Sequence, residues 1–169
     1  LSAFIFAYLY TGTKYSLAYI GLGEIFVYLY FGIIAVMGSV YLQDGIFFYK
    51  HSFFIGSAIG SINIIFLAIN NIRDYNGDKK VGKNTLVVSF GQLFGKIEIV
   101  FMVLSMYLFT YFLTDSDYQV NYLLLVVVTS PICLSIVYDV FCKQGSKLNI
   151  CLLKNAILLT VYVLILYIQ

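Results

Sequence analysis

Five apolar runs, each close to membrane-spanning length, constrain this chain more than any other feature. They cover residues 21–43, 52–69, 93–113, 122–141 and 152–168, and a shorter run covers 1–10. A helix needs ~20 apolar residues to cross a bilayer core of ~30 Å. Spanning β-strands would instead show short segments of alternating polarity. Only 11% of the residues are charged, where soluble domains carry about a quarter. The expected fold is therefore all-α: a multi-pass transmembrane helical bundle, one domain over 1–169, in contact with the lipid bilayer.

The opening run has no basic n-region or cleavage site before it, so it does not read as a signal peptide. It reads as the end of a span, and the chain as the later part of a longer membrane protein. The three cysteines, Cys133, Cys142 and Cys151, form no CxxC pair, and His51 stands alone, so the pattern offers no zinc site. A formal net charge of +2 is too small to imply nucleic acid.

The distribution of charge says more than its sum. Lys14, Arg73, Lys79, Lys80, Lys83, Lys96, Lys143, Lys147 and Lys154 fall in alternate connections or at their edges, and only Lys50 falls on the other side. Cationic loops face the cytoplasm. This sorting places 11–20, the loop after 69 and 142–151 in the cytoplasm, and it supports the number of spans. Within the spans, GSAIG at 56–60 has the small-residue spacing that lets helices approach closely. Pro131 is expected to kink its span. Asn63 is expected to bond to a neighbouring helix.

The stretch NNIRDYNGDKKVGK at 70–83 gathers Arg73, Asp74, Asp78, Lys79, Lys80 and Lys83. If the preceding span runs on, Asp74 and Asp78 at i, i+4 stack on one helical face. Like charges there repel, and the helix C-terminus disfavours anions. A cation would relieve both penalties. Mg²⁺ fits, because it is held by one or two carboxylates together with phosphate oxygens and water. The nearby cations would meet an anionic substrate, with Arg73 suited to bidentate phosphate contacts. Gly77 and Gly82 would allow a tight turn. Spacing alone leaves a second reading open: a Lys-rich cytoplasmic loop whose carboxylates pair with its own cations.

The surrounding residues extend the pattern. NNIRDYNGDKKVGKNTLVVSFG (70–91) resembles the second aspartate-rich motif of the UbiA superfamily of membrane prenyltransferases, in particular its menaquinone branch. YTGTKYSLAYIGLGEIFVYLYFG (10–32) resembles another segment of that branch, and KLNICLLKNAILLTVY at the last span is a weaker third match. The resemblance implies a nine-helix bundle, of which this chain would supply the end of helix four and helices five to nine. It also implies that the first aspartate-rich motif lies outside this chain, so that the segment alone would be inactive.

By the same resemblance, Asp74 and Asp78 would bind Mg²⁺ and the diphosphate of a polyprenyl diphosphate. Asn70, Asn71, Arg73, Lys79, Lys80 and Lys83 would bind or orient the diphosphate. Asn84 stands where the branch usually has Arg, and Lys14 and Ser16 where it often has Pro. The implied acceptor is 1,4-dihydroxy-2-naphthoate, prenylated with loss of CO₂, in the cytoplasmic membrane. Tyr15, Tyr19 and Glu24 would cap the pocket and position the acceptor. Glu24 has a plainer reading too, as an acid at a helix start where the dipole favours it. Glu98 and Asp139 are expected at the interface, paired with Lys96 and Lys143. Alternatives are another aromatic prenyltransferase of the superfamily, or a transporter. A transporter would place charges along a mid-membrane path, and the mid-spans here are nearly bare.

Overall fold

The computed structural model describes residues 21–46, 48–114 and 121–168; all the regular structure among them is helical. The expected run at 1–10 lies outside these residues. Among the described residues, five helices are long and apolar enough to cross a membrane. We number the helices α1 (Gly23–Asp44), α2 (Lys50–Lys80), α3 (Leu86–Phe90), α4 (Gln92–Thr114), α5 (Tyr122–Cys142) and α6 (Asn149–Ile168). A short 3₁₀ turn, Gly145–Leu148, leads into α6.

Helix α2 is the centre of the bundle. It packs against α1, α3, α4 and α6. Over its most apolar stretch, 61% of residues are buried, against 6% for α1. Its buried stripe, Ile62, Ile65, Ile69 and Ile72, follows the three- and four-residue spacing of one helical face.

The crossing of α1 and α2 follows from their glycines. A Cβ on Gly32 would lie 2.6 Å from both the Gly60 Cα and the Gly56 carbonyl oxygen. GSAIG is therefore the contact surface its spacing suggested. Next to it, Leu29–Ile34 is wound as a π-helix. Widening a turn takes backbone carbonyls out of α-helical register. One of them, the Phe31 carbonyl, accepts a bond from the Asn63 side chain at 2.9 Å, the interhelical role expected of Asn63.

Further polar pairs tie the helices together, as apolar surroundings favour. Asn155 donates to the Ile62 carbonyl at 3.1 Å. Tyr162 and Thr110 hydroxyls lie 2.9 Å apart, as do those of Tyr107 and Thr129. Pro131 is accommodated inside α5, which is one helix from Tyr122 to Cys142.

Helix α2 has 31 residues, or about 46 Å at 1.5 Å per residue. That exceeds a hydrocarbon core of ~30 Å, so its last turns continue beyond the apolar segment. The expected span ended at residue 69, but the helix runs on to Lys80 because its buried face continues through Ile72. Gly77 is helical, not a turn residue; only Gly82, with φ of +72°, makes the turn. The Lys83 amide then bonds back to the Asp78 carbonyl at 3.0 Å. Thr85 caps α3, its hydroxyl accepting from the Val88 amide at 3.2 Å.

Candidate functional site

The end of α2 carries the charged stretch, and its helical winding puts Asp74 and Asp78 one turn apart on one face. Each carboxylate has a cation beside it. Arg73 grips Asp74 with both prongs of its guanidinium, Nε to Oδ1 at 2.8 Å and Nη2 to Oδ2 at 2.7 Å. The third Arg73 nitrogen, Nη1, donates to Asn149 Oδ1 at the start of α6, at 3.0 Å. Lys83, folded back by the Gly82 turn, bonds Asp78 Oδ2 at 2.9 Å. Lys79 lies over the Tyr75 ring at 5.9 Å, and Lys80 is exposed.

Asp74 is 46% exposed and Asp78 13%. The exposed Arg73–Asp74 pair is weak, so its oxygens can exchange a side-chain cation for a stronger one, while the Lys83–Asp78 pair is more enclosed. Among the described residues, no group of three or more His, Cys, Asp or Glu could cage a metal. Two hard carboxylates at the open end of a helix suit Mg²⁺ shared with a phosphate ligand, which needs only one or two protein oxygens.

Asn71 faces inward one turn before Asp74 and is 4% exposed. Its amide donates to Glu24 Oε1 at 3.0 Å. Glu24 sits in the first turn of α1 but is 6% exposed. A carboxylate serving only the helix dipole would sit in solvent; this one is buried against α2. A small cavity lined by Gly21, Glu24, Asn71, Lys83 and Thr85 joins the pair to the charged turn. Asn70, half-buried, precedes Asn71 on α2. Tyr15 and Tyr19 lie outside the described residues.

Beside Glu24, a cavity of about 500 Å³ opens between α1, α2 and α4. Ile25, Leu29, Ile64, Phe101, Met102 and Phe109 form its apolar wall. Glu98 also lines it, and the expected pairing of Glu98 with Lys96 is absent. The Lys96 ammonium lies over the Phe141 ring at 5.4 Å. Glu98 Oε2 is inaccessible to solvent and has no hydrogen-bond partner. Residues two apart on a helix do not share a face, which is why proximity in sequence misled.

Asp139 does pair with Lys143, at 2.9 Å, and also with Lys154, at 2.7 Å. Its carboxylate raises the pKa of the exposed Lys143 ammonium. Asn149 was not expected at the site. The one available signal was its place in the weaker matching segment at the last span.

The family model for the UbiA prenyltransferase family matches residues 1–165. The chain belongs to that family. Its relatives include the 1,4-dihydroxy-2-naphthoate octaprenyltransferase of Escherichia coli, 43% identical over 89 residues, which are 53% of this chain and 29% of that protein. The Haemophilus influenzae protein of the same name is 34% identical over 146 residues, 84% of this chain and 46% of that protein. The 2-carboxy-1,4-naphthoquinone phytyltransferase of Synechocystis is 29% identical over 111 residues, 64% of this chain and 35% of that protein. The chain thus spans less than half the length of these relatives. No solved structure matches it. As a UbiA family member with five such apolar helices among its described residues, it is a multi-pass membrane protein.

Proposed function

We propose that this UbiA chain belongs to a membrane-bound aromatic prenyltransferase. The enzyme would transfer a polyprenyl group from a polyprenyl diphosphate to 1,4-dihydroxy-2-naphthoate, with loss of CO₂, giving demethylmenaquinone. The observation that carries this reading is the juxtaposition at the end of α2. Two carboxylates and a cluster of cations stand there, joined to a largely apolar cavity through the small cavity that Lys83, Asn71 and Glu24 line. The names of the relatives support this acceptor class. The cation asymmetry of the sequence supports placing the site at the cytoplasmic face of the cytoplasmic membrane.

Asp74 and Asp78 would hold Mg²⁺ against the diphosphate. When bound, the ion would supply charge neutralisation for the leaving group. Arg73 is positioned to take phosphate oxygens with the guanidinium it now commits to Asp74. Lys83, Lys79 and Lys80 add positive charge where the leaving group develops negative charge. Asn71 and Glu24 would fix the wall between the diphosphate and the cavity. The apolar wall would receive the isoprenoid and exclude water from the allylic carbon. Phe101, Phe109 and Tyr28 offer π-faces to positive charge on that carbon.

A 4-hydroxybenzoate, haem or chlorophyll prenyltransferase would need the same diphosphate site; the relatives' names favour the naphthoate. The full-length protein in membranes, given Mg²⁺, polyprenyl diphosphate and the naphthoate, should form demethylmenaquinone. Product from 4-hydroxybenzoate but none from the naphthoate would overturn the acceptor assignment. Undiminished turnover in Asp74→Ala or Asp78→Ala would overturn the metal assignment.

A further inference from the structure

We infer that Glu98 binds the aromatic acceptor, receiving a hydrogen bond from one of its hydroxyl groups in the cavity between α1, α2 and α4. This rests on the prenyltransferase reading and adds a residue that reading does not contain.

Glu98 lies in the second turn of α4, at the end of the bundle where α2 carries Asp74 and Asp78. Its Oε2 is closed off from solvent and unpartnered. A polar atom buried without a partner is costly. Ionisable side chains in membrane-spanning helices mark functional sites by default. The nearest cation in sequence, Lys96, is directed to the Phe141 ring. What Glu98 does share is a cavity, and with it Glu24, Tyr28 and Ser105.

That cavity is polar at one end and apolar along its body. Glu24 belongs to the first turn of α1 and Glu98 to the second turn of α4, so both carboxyl groups sit at the end nearest the charged turn. Glu24 is anchored there by Asn71, three residues before Asp74. An isoprenoid chain has no use for a carboxyl group in its wall. A hydroxyaryl ring has hydroxyl donors to offer, and a carboxyl oxygen accepts them. A volume of about 500 Å³ is within the range of small-molecule sites.

The test separates acceptor from donor in the full-length protein. Losing a buried hydrogen bond should raise the acceptor KM of Glu98→Ala about tenfold. The donor KM should stay within about twofold, as the two ligands use different parts of the cavity. Glu98→Gln, which keeps an accepting oxygen and the side-chain volume, should fall between Ala and wild type. A monomethyl ether of the acceptor, lacking one hydroxyl proton, should be discriminated against by the wild type and no longer by Glu98→Ala. An unchanged acceptor KM overturns the inference. So does an equal rise in both constants, which marks a structural role, or a rise in the donor KM alone, which marks a tail site. Wild-type turnover judges the reaction separately. If the wild type uses only 4-hydroxybenzoate, the naphthoate reading fails and the same comparison is run with that acceptor. If it uses neither, equilibrium binding of the naphthoate to wild type and Glu98→Ala decides, and equal binding or none overturns the inference.

Discussion

The Asn71 amide donates to the Glu24 carboxylate across 3.0 Å, joining α2 to the first turn of α1 over 47 positions of sequence. Both side chains are buried. Asn71→Ala leaves a buried carboxyl group without its donor, at a cost of about 1–3 kcal/mol. Glu24→Gln should cost less, because an amide oxygen still accepts from Asn71. Unfolding of the single and double variants in lipid nanodiscs gives the coupling. A coupling near zero would show that the contact contributes nothing to the fold.

Asp74 and Asp78 should behave in the opposite way. Their partners are cations at the open end of a helix, and Asp74 is 46% exposed. Exposed pairs contribute about 0–1 kcal/mol, so Asp74→Asn should unfold nearly as the wild type does, and Asp78→Asn, whose pair with Lys83 is more enclosed, should lose somewhat more. Prenyl transfer by the full-length protein should fall by about 10²-fold or more, the scale of losing a transition-state electrostatic contact. Chelating Mg²⁺ should abolish turnover, and adding it back should restore it. Turnover that survives chelation is the contrary result.

The fold was legible because its strongest signal is local. Run length and hydropathy identify spanning helices without any knowledge of their partners, and GSAIG and Asn63 carried packing information in their own chemistry. The extension of α2 entered only as a condition for stacking Asp74 on Asp78, since NNIRDYNGDKK is too polar to show a helical period; the burial of Ile72 shows why the helix continues. The π-helical stretch Leu29–Ile34 gave no compositional sign. Charge clustering and the family resemblance pointed to the end of α2. They could not indicate that Arg73 reaches Asn149, 76 positions away. They could not reveal that Glu98 faces a cavity in place of Lys96 either.

The glycines of the α1–α2 crossing should not be interchangeable with others in the same helices. A Cβ on Gly60 would meet the Tyr28 ring at 2.8 Å and the Tyr28 carbonyl oxygen at 3.0 Å. Gly32→Ala and Gly60→Ala should each destabilise by about 1–3 kcal/mol through overpacking. Gly38, also in α1, has nothing within 4 Å of such a Cβ among the described residues. Gly38→Ala should be neutral or stabilising by up to ~1 kcal/mol, since alanine is the better helix former. Equal melting temperatures for Gly32→Ala and Gly38→Ala would remove the crossing as a determinant of the fold.

Asp139 offers the last contrast, because its two lysines are unequal. Its side chain is 7% exposed; that of Lys143 is 36% exposed and that of Lys154 26%. Lys154 also donates to Ser135, tying α6 to α5 through two acceptors, while Lys143 is one helical turn from Asp139 along the chain. Lys143→Met should therefore cost little, and that small effect should vanish in high salt. Lys154→Met should cost about 1–3 kcal/mol and resist salt, since it strips a buried carboxylate of its interhelical donor. Adding Asp139→Leu to Lys154→Met removes the carboxylate that has lost its interhelical donor and should recover most of the loss, because well-packed apolar residues can replace a buried ion pair. Chemical unfolding of the three variants in micelles at low and high salt measures all of this. A double variant less stable than Lys154→Met alone would mean that the Asp139 carboxylate supports the helix pair through Lys143 and not through Lys154.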